Sequence, residues 1–414
     1  MPQFLRARPD LCSTSSLQKL VDYAVSRPDW GLAHLAVTLD MVDLMQEETF
    51  RAQLDTLDQV GQTALSLAVG QGSKHLVAGL VGQGASLAIQ DQAGNNVFHT
   101  GATGPLVVLD LLAGTKDSDD DSCSLLVARL LNQANKEGNT PLHLACRADR
   151  PDTVKRMLCL GADVNALCGG ERPLQTAVQS NNVGCVKEIL EQFPGQLHTK
   201  DIKAGGTPLH WAADKPILEA LLSLSCNVEA KNFSGSTALH TQVRHKRLPC
   251  IVCLLSHGAA VDQADSEGNT ALHLAVTTGH IPSIQALLVF GADYSAVNKS
   301  GESVWMLALR SHQSKMLSNL DRERNMILHT LHSIGAAGPG DLSSTPRDFD
   351  WKPAVTEKNK THRRCRALFD EFLDNAALHT DGARKGGARI LSLDGGGIRG
   401  LVLVKILHCF RDQI

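Results

Sequence analysis

The sequence predicts a mostly α-helical protein: an α-solenoid of stacked two-helix repeats, then a linker and the first strand, loop and helix of an α/β domain. Two observations lead to this prediction. A short segment of the type Thr-Pro-Leu-His recurs at intervals near 33 residues through most of the 414-residue chain, and a glycine-rich loop lies near its end. Aromatic residues make up only 4% of the sequence, which favours helix pairs packed by Leu, Ala and Val over sheet sandwiches.

The repeats are aligned on the Thr, or its replacement, that begins each segment. These positions are 63, 96, 140, 172, 207, 237, 270 and 303, with spacings of 33, 44, 32, 35, 30, 33 and 33 residues. A degenerate earlier copy covers 30–36. The period and the Thr-Pro-Leu-His core resemble the ankyrin repeat, in which stacked units share one core and present a long concave surface.

Each residue type in the repeat has a mechanical role. Thr140, Thr207 and Thr270 are predicted to cap the first helix of their repeats. Pro141 and Pro208, which follow Thr140 and Thr207, are predicted to occupy the first helical position. Glycine followed by alanine is predicted to end the second helix, at 161–162, 258–259 and 291–292. The histidine of the segment is predicted to make a structural hydrogen bond to the neighbouring repeat rather than to act in catalysis; it occurs at His143, His210, His240 and His273.

The spacing of 44 residues between the second and third repeats implies about eleven extra residues over the usual period. The acidic run at 116–121 falls in this interval, and we expect it to form an exposed, solvated loop. Another cluster, made of His245, Cys250, Cys253 and His257, could suggest zinc. Since the two cysteines fall on the apolar stripe of a second helix, we expect them to be core residues, and no metal site is predicted.

The chain changes character after the repeats. We predict an N-terminal segment at 1–27, eight to nine repeats over 28–335, a linker with an amphipathic helix over 336–388, and the start of a further domain at 389–414. In the linker, basic residues at 358–366 precede apolar residues at 368–376 with helical spacing. Such a helix can lie on an anionic membrane, bind calmodulin, or pack its apolar stripe on the next domain.

The glycine-rich loop follows an apolar run that is predicted to be a strand, Ile390–Leu393. It reads Asp394-Gly395-Gly396-Gly397-Ile398-Arg399-Gly400, and a second apolar run after it is predicted to be a helix. The pattern G-x-G-x-x-G fits a dinucleotide site only weakly, because the acidic residue required about 20 residues further on is not reached. The pattern D-G-G-G-x-[KR]-G resembles the loop of patatin-like lipid acyl hydrolases. Ankyrin repeats followed by this loop resemble the ankyrin-bearing calcium-independent phospholipases A2.

This resemblance implies a mechanism for the family. A Ser in G-x-S-x-G attacks the sn-2 ester of a glycerophospholipid, and an Asp from a later motif acts as base, without histidine, calcium or another cofactor. Gly395, Gly396 and Gly397 would supply the oxyanion-hole N–H groups, with Asp394, Arg399 and Gly400 completing the motif. The sequence contains no G-x-S-x-G, so no catalytic nucleophile is present, and we expect the chain to be inactive alone.

The expected function is therefore the regulatory or targeting portion of such an enzyme, with its nucleophile beyond Ile414. The alternatives are a stand-alone ankyrin adaptor or an inhibitory truncated isoform. The resemblance implies protein partners on the concave face, homo-oligomers with the full-length enzyme, calmodulin, and a phospholipid surface for the complete enzyme.

The composition of the chain bears on its expected partners and location. A net charge of −3 gives no argument for nucleic acid, and no apolar run approaches the length of a membrane span. Eleven scattered cysteines and the absence of a signal-peptide pattern predict reduced thiols. We therefore expect a cytoplasmic protein, with peripheral association with membranes, including mitochondrial ones.

Overall fold

The computed structural model describes residues 27, 30–40, 48–114, 121–310, 326–328 and 330–331. The chain divides into two compact units between Lys203 and Ala204. The predicted linker over 336–388 and the glycine-loop segment over 389–414 lie outside the described residues, as do residues 1–26 of the N-terminal segment.

The first unit consists of short helices arranged mostly in pairs. They are α1 (Leu32–Thr38), α2 (Glu48–Arg51), α3 (Ala64–Gln71), α4 (Lys74–Gly82), α5 (Val97–Gly101), α6 (Leu106–Leu112), α7 (Asp121–Leu131), α8 (Pro141–Arg147), α9 (Pro151–Cys159), α10 (Pro173–Gln179), α11 (Val183–Gln192) and a 3₁₀-helix at Pro194–His198. First helices pack on first helices of the next repeat, as α8 does on α10, and second helices on second helices, as α9 does on α11.

The second unit repeats this arrangement. Its helices are α12 (Pro208–Trp211), α13 (Lys215–Ser223), α14 (Ala238–Arg244), α15 (Leu248–Ser256), α16 (Ala271–Thr277), α17 (Ile281–Val289) and α18 (Val304–Arg310). Residues 326–328 and 330–331 are also helical. No strand forms within the described parts of either unit, which confirms the mostly α class for the repeat region; isolated β-bridges occur at three turns.

The predicted caps are confirmed. Thr140, Thr207 and Thr270 each have extended φ and ψ at the residue before a first helix, and Pro141 and Pro208 begin their helices. The second helices end as predicted: the N–H of Ala162 donates to the carbonyl of Met157 at 3.0 Å, with Gly161 at φ +92°. Only a residue without Cβ adopts this left-handed conformation without strain, which explains the Gly-Ala pairs.

The core lies between the helices of each pair and between neighbouring pairs. Leu272 of α16 is fully buried, as are the equivalent Leu142 and Leu209. Trp305 of α18 also belongs to the core, since it is 1% exposed. Core residues of this kind stabilise the stack because no repeat can bury its own apolar face alone.

Truncation of one such leucine tests this packing. We expect Leu272→Ala to lower the free energy of unfolding by about 3 kcal/mol, because it removes a fully buried side chain and leaves a cavity. The measurement is a urea denaturation curve, with the exposed Leu224→Ala (42% exposed) as control. Equal costs for the two substitutions would contradict the assigned core.

The 44-residue interval differs from the expectation of a loop alone. After first helix α5 it contains two further helices, α6 and α7, so this repeat has three. Residues 115–120 lie outside the described residues, but Asp121, which we predicted in a solvated loop, is the first residue of α7. The prediction failed there because α7 has its own apolar stripe, with Val127, Leu130 and Leu131 buried, and tertiary packing supports a helix.

The repeat beginning at Thr207 is shortened within its helices. Its first helix α12 has four residues, whereas α14 and α16 have seven. Its second helix begins eight residues after the capping Thr, whereas α15 and α17 begin eleven residues after theirs. The spacing of 30 residues in the sequence therefore corresponds to about one missing turn of the first helix.

Candidate protein-interaction surface

Six of the eight repeats are preceded by a tight turn built on an Asp or Asn. In the turn before α16, Asp265 Oδ1 accepts from the backbone N–H groups of Glu267 and Asn269, both at 2.9 Å. Gly268 follows with φ +82°. The same pair of contacts is made by Asp58, Asp91, Asn135, Asn232 and Asn298. A short side-chain acceptor thus holds the turn in one conformation.

Successive turns are joined by backbone hydrogen bonds. In the second unit, the N–H of Phe233 donates to the carbonyl of Ala204 at 2.9 Å, Ser266 to Ser234 at 3.0 Å, and Lys299 to Glu267 at 3.0 Å. In the first unit, Gln92 donates to Val60 and Lys136 to Ala93, both at 2.9 Å. We call the exposed side chains on these joined turns the hairpin edge, considered separately for each unit.

Histidines join several of the repeats to the repeat that follows. His143 Nε2 lies 3.2 Å from the carbonyl of Glu171, His210 Nε2 3.0 Å from that of Ser236, and His240 Nε2 3.1 Å from that of Asn269. Each acceptor immediately precedes the capping residue of the following repeat. His34 and His99 contact Gln62 and Asn139 in the same way. The predicted structural role is confirmed for His143, His210 and His240, whereas Nε2 of His273 makes no such hydrogen bond.

The ring geometry determines the protonation state of these histidines. A carbonyl oxygen only accepts, so Nε2 carries the proton and Nδ1 is left as acceptor. At His143, Nδ1 lies 2.9 Å from the Thr140 hydroxyl and 3.4 Å from the backbone N of Thr140, which donates to it. A second ring proton would remove this acceptor. Burial accordingly lowers the pKa of His143 below its ordinary value of 6.5, and it lowers the pKa of His99, His240 and His273 in the same way.

The hairpin edge of the second unit presents an exposed aromatic ring. Phe233 is 69% exposed, and Val297, in the turn two repeats further along the chain, is 61% exposed. A Cβ built on Gly205 would lie 2.5 Å from the Phe233 ring, so the ring rests directly on this glycine. An aromatic side chain held against backbone loses little rotamer freedom when a partner covers it, which suits it to anchor a protein contact.

The sequence analysis singled out the glycine loop and a pair of cysteines for their chemistry, and these lie in separate parts of the chain. Asp394, Gly395–Gly397, Arg399 and Gly400 lie outside the described residues. Cys250 and Cys253 are each 2% exposed in α15, which confirms their predicted place in the core, and burial raises the pKa of Cys250 to about 11. Within the ranges that the structure describes, no three His, Cys, Asp or Glu side chains form a metal-ion cluster, and no helix could span a membrane.

Comparison with protein families defines the class. Residues 209–298 match the model for three ankyrin repeats, and residues 137–168 match the model of a single ankyrin repeat. Together with the paired helices and the Thr-Pro-Leu-His segments, these matches show that residues 137–168 and 209–298 form ankyrin repeats, as the sequence predicted.

The chain is also similar in sequence or structure to several individual proteins. The chain is 29% identical over 254 residues to the 85/88 kDa calcium-independent phospholipase A2 of Mus musculus and to that of Rattus norvegicus, covering 61% of this chain and 30% of each relative. It is 27% identical over 201 residues to the human transient receptor potential cation channel subfamily A member 1, covering 46% of this chain and 17% of that one. The ankyrin repeat domain of Bcl-3 aligns with a TM-score of 0.43 and 24% identity, over 64% of this chain and 98% of that one.

Proposed function

We propose that this chain is the ankyrin-repeat regulatory and targeting portion of a calcium-independent phospholipase A2. The observation that supports it best is the 29% identity over 254 residues with two such enzymes. The loop Asp394–Gly400 supports it independently, because its pattern is the one that oxyanion loops of patatin-like hydrolases use. The match spans 30% of the length of those relatives. The phospholipase activity of the complete enzyme is therefore part of the proposal.

In the complete enzyme, we infer, Gly395, Gly396 and Gly397 donate N–H groups to the oxyanion formed when Ser attacks the sn-2 ester. A dyad Asp acts as base, so neither calcium nor another cofactor takes part. The ankyrin repeats bind protein partners, copies of the full-length enzyme included, and the basic segment at 358–376 contacts the next domain, calmodulin or a phospholipid surface. The proposed location is cytoplasmic and peripheral on membranes, including mitochondrial ones.

The hydrolysis assay tests this proposal. The chain should release no fatty acid from sn-2-labelled phosphatidylcholine in a calcium chelator, because the sequence lacks G-x-S-x-G. Co-expressed with the mouse 85/88 kDa enzyme, it should lower the activity of that enzyme in proportion to its share of the mixed assemblies. A fragment of residues 1–337 should do the same. Unchanged enzyme activity at every ratio would reject the proposal and favour a stand-alone ankyrin adaptor.

The hairpin edge predicts where a partner binds. We expect Phe233→Ala to weaken partner binding at least tenfold, since exposed aromatic anchors dominate many protein interfaces. Stability should change little, because the ring is 69% exposed. The measurement is affinity by sedimentation with any partner captured by the repeats, and Leu224→Ala, at the end of α13, is the control. Equal affinities for the two variants would place the interface elsewhere.

A further inference from the structure

The shortened repeat of the second unit leaves a cavity at its helix turns. About one turn of the first helix α12 is missing, and the open depression beside it has a volume of about 250 Å³. Its lining comes from the turns between the paired helices of three consecutive repeats. The lining residues are Ala213, Asp214, Lys215, Lys246, Arg247, Leu248, Pro249, Cys250, His280 and Pro282. We call this cavity the turn notch. It lies on residues other than those of the hairpin edge.

The groups that line the turn notch are mainly cationic. Lys215, Lys246 and Arg247 carry positive charge, and the carboxylate of Asp214 opposes them. Lys215 also pairs with Glu219 at 3.2 Å, which leaves Lys246 and Arg247 as the main positive charges. Arg247 Nη1 donates to the carbonyl of Ala212 at 3.3 Å, a bond that fixes the guanidinium and uses one of its five N–H donors.

The neighbouring histidines respond to this excess of positive charge. Burial lowers the pKa of His280, and Lys246 lowers it further. Burial also lowers the pKa of His245, with Arg247 and Arg244 adding to the effect. An anion that enters the turn notch would offset the positive charge that these side chains bring to it.

The backbone at Lys246 is the independent indication. Lys246 has φ +59°, in the left-handed region, at the turn between the two helices of its repeat. The same turn position in other repeats holds residues that tolerate this conformation: Gly72, Asp149, Asn181 and Gly279. A lysine there is strained, and strained residues concentrate where a side chain has a functional task.

From the cavity, its charges and this strain, we propose that the turn notch binds a phosphate group, with Lys246 and Arg247 as its cationic contacts. Both side chains donate to anionic oxygens, and the guanidinium can do so through two parallel N–H groups. The phosphate is a free ion, a soluble monoester or a lipid headgroup.

Thermal unfolding of the full chain with inorganic phosphate tests the site. At about pH 7.5, where phosphate carries close to two charges, phosphate should raise the melting temperature above chloride at equal ionic strength. K246Q keeps the strain and removes the charge, so it should weaken the phosphate response at least fivefold. K246G should also lose the response, while its own melting temperature rises by roughly 1–4 °C as the strain is released.

The matched control is K187Q, which removes an exposed lysine of α11 in the other unit and should keep the full response. A phosphate response equal in K246Q and K187Q, or equal to that of chloride, would overturn the proposal. Co-sedimentation with phosphatidylcholine vesicles containing phosphatidic acid identifies the source of the phosphate. Binding that K246Q abolishes assigns a lipid headgroup, and a phosphate response without vesicle binding assigns a soluble ligand; both support the site.

Discussion

Gly268→Ala should lower the free energy of unfolding of the second unit by about 4 kcal/mol. A left-handed conformation costs a residue with a Cβ about 1–2 kcal/mol, and Gly268 has φ +82°. A Cβ at this position would also lie 2.7 Å from the backbone nitrogen of Lys299, which donates to the carbonyl of Glu267. Because backbone cannot turn aside as a side chain can, the bond between the two turns must shift or break.

Gly258→Ala separates the cost of the left-handed conformation from the cost of the close contact with the next turn. Gly258 has φ +85°, almost the same conformation, and no atom lies within 4 Å of a Cβ built there. We therefore expect only the conformational cost, about 1–2 kcal/mol. Urea denaturation of both variants gives the difference. If Gly258→Ala proves as costly as Gly268→Ala, close packing between turns contributes nothing to the stability of the stack.

Acidification should unfold the chain because the histidines between repeats are buried and neutral. The pKa of His99, His143, His240 and His273 is lowered in the folded state, mainly by burial. The unfolded chain therefore binds protons first as the pH falls. The stability due to the neutral rings is complete above the ordinary value of 6.5 and decreases as the pH falls below it, by up to about 1.4 kcal/mol per pH unit for each histidine.

His143→Asn tests one of these rings. At about pH 7.5 it should cost about 3–5 kcal/mol, since the carbonyl of Glu171 and the N–H of Thr140 both lose a buried partner. It should also flatten the loss of stability below pH 6.5. His198→Asn, which changes an exposed histidine in the same unit, should leave the stability at about pH 7.5 unchanged. Parallel profiles for wild type and His143→Asn would show that this ring does not titrate with unfolding.

Local features explain how much of the fold the sequence could predict. Capping by Thr140 and termination at Gly161 depend on a few adjacent residues, and the contacts of His143 and His240 follow from the period of the repeat, so all were predicted. The Asp or Asn three residues before six of the turn glycines, such as Asp265 before Gly268, has an equally regular spacing and could have been found from it.

Other features depend on packing that the sequence pattern does not reveal. The insertion between repeats was predicted as a loop, but the apolar stripe of α7 gives it a helix. The spacing of 30 residues was evident, but the turn notch arises only where Lys246 and Arg247 of the next repeat face the gap. The exposure of Phe233 likewise depends on where the preceding Gly205 turn lies. The glycine loop at 394–400 remains a prediction.

The most direct measurement of the central claim is the affinity of this chain for a full-length calcium-independent phospholipase A2. Sedimentation velocity of the labelled chain with the mouse 85/88 kDa enzyme, in a calcium chelator, should show a mixed assembly. Phe233→Ala should weaken that assembly at least tenfold, and Leu224→Ala should leave it unchanged. Sedimentation of the chain unchanged by the enzyme at micromolar concentrations would contradict the account and leave an ankyrin adaptor with other partners.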